Sequence, residues 1–180
     1  MTRFNWILLA LLAAVFVLPS QGSAAKKEGF AVVDVGVLMN ESAAGKSIQS
    51  QLKERQEAFQ KEFAKKEEEL HAAQKKIVEK KNEMKPEELN AKRQEFEAKL
   101  LETRKLFQKR KASLDQGLGA AMQELRKSIM EASAEIAESK GYAVVLSRES
   151  IVVAEKEADI TKEALDKLNS KVKNIALKVE

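Results

Sequence analysis

The chain has no cysteine, and only two prolines, seven glycines, one tryptophan and one histidine in 180 residues. Without cysteine there is no disulfide framework and no thiolate chemistry. The lone histidine, His71, sits among Glu and Ala on a charged stretch and reads as a solvated side chain. A metal site or a histidine-based triad needs more partners than this. Aromatic residues make up 5% of the chain, too few for a thick globular core, because large rings supply much of core burial. No glycine-rich phosphate loop is present. Acidic runs such as Glu67-Glu68-Glu69 fall on successive helix positions and splay around the axis, so they make no carboxylate dyad. These absences argue against an enzyme, and no cofactor is expected. An excess of one charge sign is missing too. Lys and Arg total 32 against 28 Asp and Glu, a net charge of +4. That is far from the basic excess of a nucleic-acid binder.

Charge itself is plentiful, at 33% of residues. Together with the shortage of rings it favours long helices over a globule. The first 25 residues stand apart. Arg3 is their only charge, an apolar run from Trp6 to Leu18 follows, and Pro19 precedes the small residues Gly22-Ser23-Ala24-Ala25. The run is shorter than the ~20 residues of a membrane span, so residues 1–25 read as a cleavable secretory signal. Cleavage falls after Ala25, with Ala24 as the alternative, and the mature chain is expected to be exported. Removing Trp6 with the signal leaves a mature chain without tryptophan.

Three regions follow. Phe30-Ala-Val-Val-Asp34 reads as a strand, with one helical turn over residues 36–40. Residues 45–140 are rich in Glu, Lys, Gln, Ala and Leu, the good helix formers. Met84-Lys85-Pro86-Glu87-Glu88 breaks them, because proline suits a helix start and disfavours helix just before it. Two long helices joined by a short turn near 85–86 make an antiparallel hairpin. Its outward seam reads Leu52, Gln56, Phe59, Phe63, Lys66, Leu70, Ala73, Ile77, Lys80, Met84. Its return seam reads Leu89, Arg93, Phe96, Leu100, Thr103, Phe107, Arg110, Leu114. Polar residues dilute both, so the pair is a compliant coiled coil. Leu118, Met122, Leu125, Ile129, Ala132 and Ile136 continue the return helix after a four-residue stutter. Gly117 and Gly119 lie in that stutter and mark either an arm bend or close packing against a neighbour. Gly141 stops the helix. Strands are expected over 142–146 and 151–154. A last helix is capped at Thr161 and carries Leu165, Leu168, Val172, Ile175 and Val179.

These residues resemble the OmpH-like (Skp) family of periplasmic chaperones. The likeness is carried by Val33-Asp-Val-Gly-Val-Leu-Met-Asn-Glu-Ser-Ala-Ala-Gly-Lys46 near the start. Near the end it is carried by Gly141-Tyr-Ala-Val-Val-Leu-Ser-Arg-Glu-Ser-Ile-Val-Val and Asp159-Ile-Thr-Lys-Glu-Ala-Leu. The resemblance implies an α+β fold: a small β-barrel body shared by a homotrimer, with long antiparallel coiled-coil α-hairpin arms. It implies an ATP-independent holdase that binds unfolded outer-membrane proteins in a cavity between the arms and prevents their aggregation. Residues 26–45 and 122–180 would then form the body, and residues 46–121 the arm. An envelope coiled-coil scaffold, or a lipopolysaccharide-binding protein, is the alternative.

Two basic clusters are candidate contacts. Arg104, Lys105, Lys109, Arg110 and Lys111 form a stretch without acids between Thr103 and Leu114. The resemblance implies lipopolysaccharide binding through basic arm residues; the bland reading is pairing with Glu67, Glu68 and Glu69 across the hairpin. Lys75, Lys76, Lys80, Lys81 and Lys85 cluster at the tip, where they meet anionic membrane surfaces or clients, or are simply solvated. Phe59, Phe63, Phe96 and Phe107 are expected to pack within the seams or, less favoured, to touch clients.

Overall fold

The structure, a computed structural model, describes residues 29–179. The expected signal at 1–25 lies outside the described residues. From the N-terminus, strand β1 (Phe30–Val33) leads into helix α1 (Val35–Glu41) and the long helix α2 (Ala43–Lys80). Helix α3 (Pro86–Lys140) returns to strand β2 (Val144–Ser147), and helix α4 (Thr161–Lys171) follows. β1 and β2 pair in parallel, Phe30 opposite Val144 and Val33 opposite Ser147. Parallel neighbours need a crossover, and here the crossover is the α2–α3 hairpin.

Local chemistry accounts for the junctions. Asp34 caps α1 by accepting from the Val37 N–H, and Ser42 caps α2 by accepting from the Gly45 N–H. α2 ends at Lys80, and residues 81–85 separate it from Pro86, which opens α3. α3 then runs 55 residues to Gly141, which caps it at φ 75°. At 1.5 Å per residue, α2 is about 57 Å long and α3 about 80 Å. The surplus of α3 enters the core, where Ala121, Leu125, Ile129, Ala132 and Ile136 are buried against Leu38, Ile48, Ile160 and Leu168. Each large aliphatic side chain there stabilises by about 1.5–3 kcal/mol. Past the stutter Ala121, not Met122, takes the inward position, and Met122 is exposed. Lys167 and Lys171 of α4 both meet Glu135 of α3, and Lys140 meets Glu163 at 2.6 Å.

Three expectations are corrected. Residues 151–154 are not a strand; a 3₁₀ turn at Arg148–Ser150 leads into irregular chain, with Val152 and Val153 exposed. Their β-branched side chains suit a strand, but a strand also needs a partner edge. The edge of β1 away from β2 is taken by Asp159–Ile160, whose Ile160 N–H donates to the Val32 carbonyl. Thr161 is not a side-chain cap: its hydroxyl accepts from the Asp34 N–H, while Asp159 accepts from the Thr161 N–H. Burial alone would raise the Asp159 pKa, but the Thr161 bonds and Arg148 at 2.7 Å outweigh it and hold the carboxyl below its ordinary value. The last helix stops at Lys171. Residues 172–179 run extended, with Ile175 and Leu177 buried and Ala176 and Lys178 exposed. Val, Lys, Asn, Ile, Ala, Leu, Lys and Val fit a period of two as well as of 3.6, and Asn174 is a poor helix former.

This extended segment explains one glycine. A Cβ on Gly117 would lie 2.3 Å from the Lys178 carbonyl oxygen, whereas one on Gly119 would meet nothing within 4 Å. Helix α3 passes both positions without interruption. Gly117 therefore serves close packing. Gly117→Ala is expected to lower stability by about 1–3 kcal/mol through overpacking. Gly119→Ala should raise it by up to about 1 kcal/mol through helix propensity. Denaturant unfolding of the two single variants checks both signs.

Candidate functional site

The arm is the part of the chain with no interior of its own. Between residues 49 and 116 no side chain is fully buried. Its seam is half-buried and made by Phe59, Phe63, Leu70, Ala73 and Ile77 of α2 with Leu89, Phe96, Leu100, Thr103, Leu106 and Arg110 of α3. Most of the expected seam is present. Gln56, Lys80, Arg93 and Phe107 instead turn outward, and Leu106 takes the inward place. Phe63 and Phe107 still meet edge-on, with ring centroids 4.5 Å apart, a geometry worth about 0.5–1.5 kcal/mol beyond burial. Phe107 keeps 51% of its surface exposed, as Leu101 keeps 54%. Apolar surface on the arm is therefore scattered, not gathered into one groove.

Register decides the fate of the basic stretch. Phe63 faces Phe107, and Glu62 lies 3.7 Å from Arg110. Glu69 accordingly sits beside Lys99 and Glu102, nearer the tip than the basic stretch. The expected pairing with Glu67, Glu68 and Glu69 does not form. Arg110 alone is engaged: it lies over the Phe59 ring at 5.6 Å, and its Nε is shielded from solvent without a hydrogen bond. Arg104, Lys105, Lys109 and Lys111 are exposed and make no ion pair among the described residues. At the tip, Lys75 meets Glu79 at 3.8 Å. Lys76 and Lys80 border a shallow cleft with Ile77, Met84 and Phe96. Lys81 and Lys85 are exposed in the turn. Elsewhere on the arm Lys92 and Lys99 share Glu95, whose carboxyl their hydrogen bonds hold below its ordinary range. His71 is exposed.

The sheet carries a second surface that the sequence reading did not single out. Ala31, Val33 and Val145 face the core; on the opposite face Val32 is buried, while Phe30, Val144 and Leu146 around it remain exposed. Val152 and Val153 are exposed as well. Strand alternation already contained this signal, because every second residue of an apolar strand must face away from its own core. Among the described residues no cluster of His, Asp or Glu is arranged to hold a metal. No described helix is long and apolar enough to cross a membrane.

Arg110 offers a check on the hairpin register. Its ion pair is about one-third exposed, where such pairs contribute about 0–1 kcal/mol. Its stem and cation also cover Phe59, worth about 0.5–1 kcal/mol at such a site. Arg110→Met should therefore stay within about 1 kcal/mol of the parent. Arg110→Glu, facing Glu62, should loosen the hairpin, seen as faster amide exchange over residues 59–66. Equal exchange in the two variants would refute this register.

Comparison with known proteins agrees with the fold. Over residues 29–168 the chain matches the family model described as outer membrane protein (OmpH-like). No curated protein matches it in sequence. Among solved structures it is similar to a crystal structure from Caulobacter crescentus CB15, described as an OmpH-like outer membrane chaperone. The two superpose with a TM-score of 0.79 at 18% identity, covering 84% of this chain and 90% of the other. Few strands, long helical arms and a match across the described fold lead to one assignment: the chain belongs to the OmpH-like family.

Proposed function

We propose that the protein is an ATP-independent holdase chaperone of the periplasm, exported by the signal at residues 1–25, that keeps unfolded outer-membrane proteins from aggregating. The observation that carries this reading is the arm: a hairpin about 57 Å long without a buried side chain from 49 to 116. An arm that covers nothing of its own chain is available to enclose something else. The body, residues 26–45 and 122–180, would assemble as a homotrimer. Support comes from Phe30, Val144 and Leu146, which stay exposed on the sheet's outer face beside buried Val32, and from exposed Val152 and Val153, because a two-stranded sheet is too small to be stable with much of an apolar face in water. Strands from three chains closed into a barrel would remove the open edges. The arms, residues 46–121, would then surround a cavity, and Gly119, with open space around it, is where the continuous helix would flex to admit clients of different size.

Binding in such a cavity is multivalent and weak at each contact. The seam is spent between α2 and α3, and the outer faces are mainly Lys, Glu and Gln. Many small contacts and confinement multiply weak affinities. A mildly basic cage also attracts acidic unfolded chains, a contribution that salt screens.

A second reading has its own observation. Arg104, Lys105, Lys109 and Lys111, exposed and without an ion pair among the described residues, fit an anionic partner such as lipopolysaccharide or a membrane surface.

An aggregation assay tests the main reading. A urea-unfolded outer-membrane protein diluted into buffer should stay in solution with the mature chain present and aggregate without it. Client tryptophan emission, the only tryptophan signal in the complex, should resemble a mobile unfolded chain. Affinity should fall as salt rises. Unchanged aggregation would remove the holdase reading, and a salt-insensitive, strongly blue-shifted complex would remove the cage mechanism.

A further inference from the structure

The extended C-terminal segment, residues 172–179, lies over the root of the arm and is held chiefly through its backbone. One side chain, Gln51 of α2, donates from Nε2 to the Ile175 carbonyl at 2.8 Å and accepts at Oε1 from the Leu177 N–H at 2.9 Å. Those two groups are the acceptor and donor that one edge of an extended strand presents two residues apart. On α3, Gly117 has no side chain, and the Lys178 carbonyl occupies the space where a Cβ would stand. The segment's side chains meet the groove at every second position, with Ile175 and Leu177 buried to 2% and 4% exposure. The polar side chain of Asn174 meets Ser47 and Gln51 at the groove's edge. The cleft continues past Gly117 along α3, lined by Lys109, Ala112, Gln116 and Ala120.

A seat of this kind reads conformation and alternation, not sequence. It takes any extended chain that offers its backbone edge to one amide and an apolar side chain at alternate positions, the logic of adding a strand to an edge. Transmembrane β-strands have that alternation throughout. We propose that the groove formed by Gln51 and Gly117 is a binding site for extended segments of unfolded β-barrel chains, and that residues 172–179 are its displaceable resident occupant. The proposal rests on the holdase reading for its partner. A tethered occupant has an effective concentration of the order of mM. A dilute peptide therefore competes poorly, while a client already confined among the arms competes well. Displacement also frees the root of the arm, because the same segment bridges α2 and α3.

The absence of cysteine makes the test direct. A nitroxide on Ala176→Cys, an exposed position, reports whether the segment is seated; one on Glu138→Cys of α3 reports on the body. A photo-crosslinker on Gln116→Cys samples the groove. With an unfolded outer-membrane protein bound, the label at 176 should become mobile, the label at 138 should not, and the client should crosslink at 116. Gln51→Leu should free the segment without a client and raise amide exchange at Leu177 about tenfold. A synthetic peptide Val-Lys-Asn-Ile-Ala-Leu-Lys-Val, added to the full chain at concentrations of the order of mM, should free it too. A client held while residue 176 stays immobile would overturn the proposal, as would a mobile label without crosslinking at 116. If no client is held at all, the holdase reading falls. The peptide arm then decides the site alone: release by that peptide and not by a scrambled one supports it, and equal effects overturn it.

Discussion

Two parallel strands cannot be joined by a tight turn, and in this chain the whole arm is their connection. Phe30–Val33 and Val144–Ser147 stand side by side only because α2 leaves the sheet and α3 comes back to it. The pairing therefore couples the position of the arm to the order of the body. It also fixes the inequality of the two helices. α3 must travel back down the arm and then cross the core before delivering β2, which is why it has 55 residues against 38 in α2. The crossover rests on a few backbone bonds and on the side chains from Ala121 to Ile136 that hold its returning end in place.

Stability is accordingly graded along the molecule. At the base, fully buried Leu125, Ile129, Leu168 and Leu38 form the core, and Asn169 reaches the Ala43 N–H at 2.8 Å to tie α4 to the start of α2. Along the arm nothing is fully buried, and support comes from a half-buried seam and from pairs within one helix such as Lys66–Glu69 and Lys75–Glu79. Pairs of that kind contribute a few tenths of a kcal/mol each. Local opening concentrates where buried contacts are few, so the arm is the compliant part and the body the rigid one. On the holdase reading proposed above, that gradient has the right direction.

Long, strongly patterned elements were legible in the sequence. Pro86 and Gly141 bound α3 because each acts on the backbone locally, whatever surrounds it. The failures share a cause: each depended on a neighbour far away in sequence. Residues 151–154 have strand chemistry, but Asp159 and Ile160 hold the outer edge of β1, and the 3₁₀ turn at Arg148–Ser150 does not return the chain to the open edge of β2. Residues 172–179 satisfy two periods at once, and Gln51, more than 120 residues earlier, selects the extended one. Thr161 has the chemistry of a cap, yet the Asp34 N–H claims its hydroxyl and Asp159 takes over the capping. The acidic run at 67–69 and the basic stretch at 104–111 attract one another on paper. A hairpin register set by Phe63 and Phe107 keeps them apart, and only Arg110 finds an acid across the seam. At the candidate site, sequence located the cations but not which of them stay unpaired, because pairing is a property of register.

The chain has two further apolar surfaces, one closed as the core's outer margin and one open, and it treats them differently. At the arm's root the groove is covered in cis by residues 172–179, held by a side-chain amide and a missing Cβ. At the sheet, Phe30, Val144, Leu146, Val152 and Val153 are left exposed. An apolar face that stays open beside an unpaired strand edge is a hazard in a monomer. Its persistence is intelligible if another copy covers it, and then the stability of the body depends on protomer concentration. The covered groove has the opposite logic. A tethered cover keeps the groove out of water at any concentration, yet yields to a competitor that is itself held nearby. On this account the open sheet face serves permanent assembly, and the strapped groove serves exchange.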